Sequence, residues 1–261
     1  MKFAPFVDSL GGEGAEAWEI LTESRAAQAR GEDVIILSIG DPDFETPALV
    51  VDAAVEALRA GDTHYAELEG RSSLRSAIAE KISLTSGVEI GPERVTVLAG
   101  AQNAFYSTCR CLFGQGDEVV VLDPAYVTYE ACIASTGAIQ VRVEQPARSG
   151  FRPDIDQLEA SITSTTRGIV FANPSNPTGV TLNSDELNAI ADIAIRNDLW
   201  VLVDEVYNDL VFDGVYQSIA GLPGMLERTV TVSSVSKSYA MTGWRCGWAV
   251  GPPALMHHLR R

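Results

Sequence analysis

The chain has 261 residues, 46% of them apolar and 21% charged, which is enough for one substantial core and too ordinary for a disordered or fibrous protein. Nineteen basic against 35 acidic residues leave a formal net charge of −16, which argues against nucleic acid or a polybasic membrane contact as partner. No apolar run approaches the ~20 residues of a membrane span, and Met1-Lys2-Phe3-Ala4-Pro5-Phe6-Val7-Asp8 breaks too early for a secretory leader, so a cytoplasmic address is expected. In chain order, a helix is expected around Ala15–Arg30, closed by Gly31. A short apolar run follows at Val34–Ser38, then a turn at Gly40-Asp41-Pro42-Asp43. Thr46 and Pro47 read as N-cap and first-turn proline of a helix that ends at Gly61. Ser72–Ser86 is amphipathic, with Leu74, Ile78 and Ile82 on one face and Gly87 beyond its end.

A regular series then begins. Strand Arg94–Leu98 leads to a helix through Cys111, and strand Glu118–Leu122 to a helix around Tyr129–Ser135. Strand Gly168–Ala172 leads to a helix over Asp185–Asn197, and strands Leu199–Val203 and Thr229–Ser233 and a run at Trp244–Val250 complete the set. Val- and Ile-rich runs separated by helices imply an α/β fold: three α/β/α layers around a mostly parallel sheet covered on both faces. Pro253–Arg261 reads as the start of a helix that stops without a cap, the pattern expected of a fragment.

In such a sheet the polar clusters after successive strands share one rim, where open α/β sheets bind ligands. They are Ala99-Gly100-Ala101-Gln102-Asn103, Asp123-Pro124-Ala125-Tyr126, Asn173-Pro174-Ser175-Asn176-Pro177-Thr178-Gly179, Asp204-Glu205-Val206-Tyr207 and Ser234-Val235-Ser236-Lys237. Each has a bland reading. Gly100-Ala101-Gln102 is either a tight turn or a set of helix N-terminal amides suited to phosphate. Tyr126 is a rim aromatic or a platform for a flat ring. The Asn-Pro run is a rigid turn unless its polar groups face a ligand. Asp204 ends an apolar run, where a carboxylate is poorly solvated unless a cation pairs with it.

The chain holds only three lysines, Lys2, Lys81 and Lys237, so chemistry that needs an amine has little choice. By default Lys2 and Lys81 are surface lysines. Ser234-Val235-Ser236-Lys237 fits the serine–lysine spacing of penicillin-binding enzymes, but no lysine here precedes Thr-Gly. A P-loop needs glycine before its lysine, and Ser236 stands there. Gly12-Glu13-Gly14 with Ala17 loosely matches a dinucleotide fingerprint, but no strand precedes it. Cys109, Cys111, Cys132 and Cys246 have no metal or redox spacing, and neither do the adjacent His257 and His258, so no metal site is expected.

Taken together these residues resemble the class I/II, fold type I pyridoxal-phosphate aminotransferases, from about Ala17 to the last residue. Ser234-Val235-Ser236-Lys237-Ser238-Tyr239-Ala240-Met241-Thr242-Gly243-Trp244-Arg245-Cys246-Gly247 follows the family's cofactor-attachment signature, departing at Cys246, where an aliphatic residue is usual. Within the family, Gly14-Ala15-Glu16-Ala17-Trp18, Gly40-Asp41-Pro42-Asp43-Phe44, Thr63-His64-Tyr65-Ala66 and Tyr126-Val127-Thr128-Tyr129-Glu130 look most like the members that act on arginine and pyruvate. The resemblance implies pyridoxal 5′-phosphate as cofactor and an amino acid and a keto acid as substrates. It implies that Lys237 forms the Schiff base and moves the proton, and that Asp204 holds the pyridine nitrogen protonated. Asn176 and Tyr207 would bond the ring's phenolic oxygen, and Tyr126 would stack on the ring. Arg245, Ser234, Ser236 and the amides of Gly100, Ala101 and Gln102 would bind the phosphate, while Gly40 and Asn176 would approach the substrate carboxylate.

The resemblance further implies a homodimer in which Tyr65 reaches the neighbouring subunit's phosphate. Residues 1–40 would form an N-terminal arm and part of a small domain, and 41–261 the cofactor-binding large domain. The family's later small domain carries the arginine that grips the substrate carboxylate. After Arg245 only Arg260 and Arg261 carry a guanidinium, and neither sits in that motif, so weak turnover is expected of these 261 residues alone. A β-lyase, a transaminase for another amino acid, or a cofactor-fold module without turnover stand as alternatives.

Overall fold

A computed structural model describes residues 2–3, 7, 10 and 13–260, with side-chain surroundings from Trp18 onward in the first helix. Most of the segment read for a leader, Gly12 of the loose fingerprint, and Arg261 lie outside the described residues, as do the side chains of residues 13–17. Three helices come first: α1 (Glu13–Ala29), α2 (Ala48–Arg59) and α3 (Ser72–Ser86). Then follow β1 (Val95–Leu98), α4 (Ala101–Leu112), β2 (Glu118–Asp123), α5 (Tyr129–Ala134), β3 (Ile139–Glu144) and α6 (Ile155–Ala160). The series ends with β4 (Thr166–Ala172), α7 (Ser184–Arg196), β5 (Trp200–Asp204), β6 (Thr229–Ser234), β7 (Gly247–Val250) and α8 (Pro253–Leu259).

The seven strands form one sheet in the order β1-β7-β6-β5-β4-β2-β3. Strand β7 is antiparallel to both neighbours, and the other pairings are parallel. Strand alternation sorts the core. Val119, Val121, Val170 and Leu202 pack with α4, α5 and α8, whereas Val120, Leu122, Ile169, Phe171, Val201 and Val203 pack with α6 and α7. A third cluster joins Ile78 and Ile82 of α3 to Val95, Trp248 and Val250 at the β1–β7 edge. The three-layer α/β/α fold is the expected one.

Local chemistry explains several boundaries. Asn183 and Glu186 form a reciprocal capping box at the start of α7, and Asp154 caps α6 through Gln157 N. Pro47, rather than Thr46, is the N-cap of α2 and makes no side-chain capping bond, because the Thr46 hydroxyl donates to Ala240 O at 2.6 Å instead. The last strand starts at Gly247, not Trp244, since Thr242–Trp244 is a 3-10 turn and Arg245 takes a left-handed conformation at φ 53°. Two elements went unforeseen: edge strand β3, whose Ile139, Val141 and Val143 alternate with polar residues, and the short helix α6. Val34–Ser38 forms no strand and stays largely exposed, because no neighbour pairs with it among the described residues.

Candidate active site

A cleft of about 460 Å³ opens at the carboxyl ends of the parallel strands. Of the thirteen residues singled out in the sequence, eleven line it: Gly40, Ala101, Gln102, Tyr126, Asn176, Asp204, Tyr207, Ser234, Ser236, Lys237 and Arg245. Gly100 lies directly behind its wall as the N-cap of α4. Tyr65 does not line it; the side chain is fully exposed. Arg260 pairs with Glu69 and is absent from the lining, so Arg245 is the only arginine facing the cleft among the described residues.

One wall is built by close backbone approach. A Cβ on Gly247 would meet the Gly100 carbonyl carbon at 2.3 Å, so the start of β7 packs directly on the β1–α4 turn. Gly100 itself has φ 93°, and a Cβ there would sit 2.2 Å from Arg245 Nη2. These two glycines let the guanidinium lie over the N-terminus of α4, which has no side-chain cap and so keeps amides free for a ligand. Arg245 donates to Thr242 O at 2.8 Å and Ala99 O at 3.2 Å and has no ion pair among the described residues.

Lys237 is half-buried and donates to the Gly40 carbonyl, joining two residues 197 positions apart. Burial lowers its pKa, opposed by the nearby Asp41 carboxylate, so more of the amine is neutral than in water. Asp204 is buried at the end of β5. Burial raises its carboxyl to about 6, against hydrogen bonds from the Tyr129 hydroxyl at 2.9 Å and Val206 N at 3.1 Å that favour the anion. On the neighbouring loop Asn176 Nδ2 donates to the Tyr207 hydroxyl at 3.4 Å.

Tyr129 was not singled out for the site, and it matters. It is buried, stacks on Phe105 with ring centroids 4.2 Å apart, and meets Tyr126 edge-on at 5.8 Å. Burial, followed by the Asp204 charge, holds its phenol well above the usual range, so it stays a donor. No local signal in the sequence pairs it with Asp204, 75 positions away. Gln102 points its side chain away from the cleft's cations, accepting from Thr128 Oγ1 at 2.6 Å and donating to Cys132 Sγ at 3.3 Å. Its contribution to a ligand is therefore the backbone. Lys81 is no free surface lysine: it pairs with Asp209 at 2.7 Å and lies over the Tyr239 ring, outside the cleft lining.

Asn173 explains why two Asn-Pro steps occur in one loop. It is buried, accepts from Leu182 N at 2.9 Å and donates to Gln217 O at 3.3 Å, bracing the loop, while Asn176 faces the cleft. Among the described residues no group of histidine, cysteine and acidic side chains is arranged to hold a metal, and no helix is long and apolar enough to cross a membrane.

Known proteins are similar to this chain in sequence and fold. A family model, aminotransferase class I and II, matches residues 32–261. The chain is 47% identical over 259 residues to the arginine–pyruvate transaminase of Pseudomonas aeruginosa, covering 99% of this chain and 66% of that protein. It is 37% identical over 241 residues to a probable aspartate/prephenate aminotransferase of Thermus aquaticus, covering 91% of this chain and 62% of the other. The solved aspartate aminotransferase from Thermus thermophilus with maleate superposes at a TM-score of 0.95 and 32% identity, over 100% of this chain and 67% of that one. The chain thus spans less than two-thirds of the length of both curated relatives.

Proposed function

This chain belongs to the class I and II aminotransferases, and from that premise we propose that it moves an amino group from an L-amino acid to a keto acid in two half-reactions. The cofactor of the family is pyridoxal 5′-phosphate. The observation that carries the reading is the meeting of Lys237, Asp204 and Arg245 in one cleft. The fit to a phosphate rests on the glycine-backed Arg245, the uncapped α4 terminus, and the absence of any carboxylate pairing with Arg245 among the described residues. In a chain of net charge −16, a cation left unpaired on a rim is suited to an anionic ligand.

Bound there, the cofactor supplies an aldehyde for the amino group and a ring that takes up the electron pair released when the substrate Cα–H bond breaks. The chain's own residues do the rest. Lys237 Nζ, whose pKa burial lowers, would hold the cofactor's aldehyde through its amine and would carry the proton taken from and returned to the substrate. Asp204, its anion favoured by the bonds from Tyr129 and Val206, would hold a protonated ring nitrogen and balance its charge. A cation held there would draw the Asp204 carboxyl down from about 6. Tyr126 would pack on the ring face, and Asn176 and Tyr207 would bond its oxygen. Ser234, Ser236, Arg245 and the amides of Gly100, Ala101 and Gln102 would hold the phosphate, and the Gly40 backbone would border the substrate.

The substrates proposed are arginine as donor and pyruvate as acceptor. Two things support the pair: the 47% identity to a named arginine–pyruvate transaminase, against 37% to an aspartate/prephenate enzyme, and an acidic surface that attracts a cationic donor. The proposed assembly is a homodimer, supported by the family and by the wholly exposed Tyr65. A panel of amino acids and keto acids assayed with this chain tests the substrates. Arginine with pyruvate should outrun aspartate with 2-oxoglutarate; the opposite order refutes the donor while leaving the family intact.

A further inference from the structure

Thr46 reads as a helix N-cap in the sequence, yet the cap is Pro47 and the Thr46 hydroxyl is engaged elsewhere. Its Oγ1 donates to Ala240 O at 2.6 Å and accepts from Trp244 Nε1 at 3.1 Å. Those partners stand at the two ends of the turn that joins Lys237 to Arg245. The backbone of that turn is strained. Of the four non-glycine residues with positive φ among the described residues, Ala240 at 51° and Arg245 at 53° both belong to it. A side chain disfavours this left-handed conformation, so it persists only where the surroundings hold it.

The turn holds itself loosely. Tyr239 N donates to Val235 O at 3.2 Å, Ala240 N to Lys237 O at 3.4 Å and Trp244 N to Met241 O at 3.2 Å, all longer than the usual bond of about 2.9–3.0 Å. The shorter bonds come from the segment over residues 40–46 laid along it: Thr46 to Ala240, and Thr242 Oγ1 to Asp41 Oδ1 at 2.7 Å. Lys237 adds its bond to the Gly40 carbonyl. The turn also places the guanidinium, because Arg245 Nη1 donates to Thr242 O at 2.8 Å. A turn that shifts therefore moves Arg245 relative to Lys237.

We propose that Thr46 is a positioning residue for the cofactor site: its one hydroxyl holds both ends of this turn and so fixes the spacing between the Lys237 amine and the Arg245 guanidinium. A ligand gripped at its aldehyde by one and at its phosphate by the other is sensitive to that spacing. Gly40, Asp41 and Thr242 line the cleft, whereas Thr46, Ala240 and Trp244 do not. The Thr46 hydroxyl thus acts through the turn and touches no ligand. Serine keeps a hydroxyl that can make both bonds. Valine copies the shape of threonine and can make neither.

The effect at the cleft rests on the cofactor reading, the hold on the turn does not, and the experiment separates the two. Amide hydrogen exchange of the cofactor-free protein is measured for wild type, Thr46→Val, Thr46→Ser and Trp244→Phe, alongside absorbance titrations with pyridoxal 5′-phosphate. In T46V the amides of Met241 and Trp244 should exchange about tenfold faster while those of β5 and β6 keep their rates. Affinity in T46V should fall about tenfold, in line with two hydrogen bonds lost at one oxygen, and T46S should stay within about threefold of wild type in both measurements. Trp244→Phe loses one bond of the two and should fall between them. Unchanged exchange of the turn in T46V, an affinity loss in T46S equal to that in T46V, or acceleration spread evenly over β5 and β6 overturns the proposal. If wild type binds no cofactor, the functional reading fails, and the exchange rates still decide whether Thr46 holds the turn.

Discussion

Leu202 and Val203 of β5 are fully buried, whereas Ile35 and Leu37, in an apolar run of similar length and composition, are 82% and 88% exposed. The helices divide in the same way. Amphipathic α7 buries Leu187, Ile190, Ala191, Ile193 and Ala194, and amphipathic α2 buries none of its residues. Local propensity is alike in each pair, so the surroundings decide: β5 lies between β4 and β6, and the 34–38 run has no neighbour to pair with among the described residues. The sheet region satisfies its apolar pattern within the chain. The N-terminal region presents a pattern suited to a surface that the described fold does not supply, as a proposed dimer would.

If the sheet region is the self-sufficient working part, its residues should carry the largest effects. Lys237→Ala should bind the cofactor without covalent attachment and lose at least about a thousandfold in transfer rate, since it removes nucleophile, base and acid together. Borohydride reduction of the wild type followed by peptide mapping should place the pyridoxyl group on Lys237. Finding it on Lys81, which is engaged with Asp209 outside the cleft lining, would break the assignment of the working region.

A smaller loss is expected one layer down. Asp204→Asn keeps the shape and removes the charge, so turnover should fall about a hundredfold while the cofactor is retained. Tyr129→Phe leaves the carboxylate with one donor fewer, costing about 1.5–3 kcal/mol for a bond to a charged group. Because that bond lowers the Asp204 value, its removal should move the acid edge of cofactor affinity upward from about 6. Below that edge the protonated carboxyl no longer balances a ring cation, so affinity falls as the pH drops. An acid edge that stays in place in Tyr129→Phe would show that the buried tyrosine does not tune the charge.

How much of this was legible depends on how local the cause is. The parallel strands, the rim loops and Lys237 could be read because each rests on a short apolar run followed by turn chemistry. Tyr129 was not read as a site residue because its role is to bond Asp204, 75 positions away, and no periodicity announces such a pair. Gln102 lines the cleft, but its side chain is engaged with Thr128 and Cys132, which leaves the backbone amide for a ligand, and sequence position alone does not distinguish the two. The exposure of the 34–38 run was not legible, because an apolar run reports that burial is needed without saying against what. Strand β3 was missed although Ile139, Val141 and Val143 alternate with Gln140, Arg142 and Glu144, the period-two pattern of a strand with one face exposed.

The smallest effect on stability is expected in the N-terminal region, and there it tells the most. Leu37 and Leu49 are 88% and 82% exposed, so exchange to serine removes almost no buried surface from the single chain. Each variant should change unfolding free energy by no more than about 0.5 kcal/mol, the range of ordinary surface substitutions. If these side chains meet a second copy, the same exchanges should weaken self-association severalfold in sedimentation, because each removes an apolar contact that forms only in the pair. Tyr65→Phe then provides the link to function: it leaves each chain's own cleft lining intact, yet should lower cofactor affinity in the dimer and not in a dissociated form. Unchanged association in both serine variants would show that the exposed run and α2 face something other than a second copy. A several-kcal/mol loss of stability would show that they are packed within the chain after all, and the contrast between the two regions would fall.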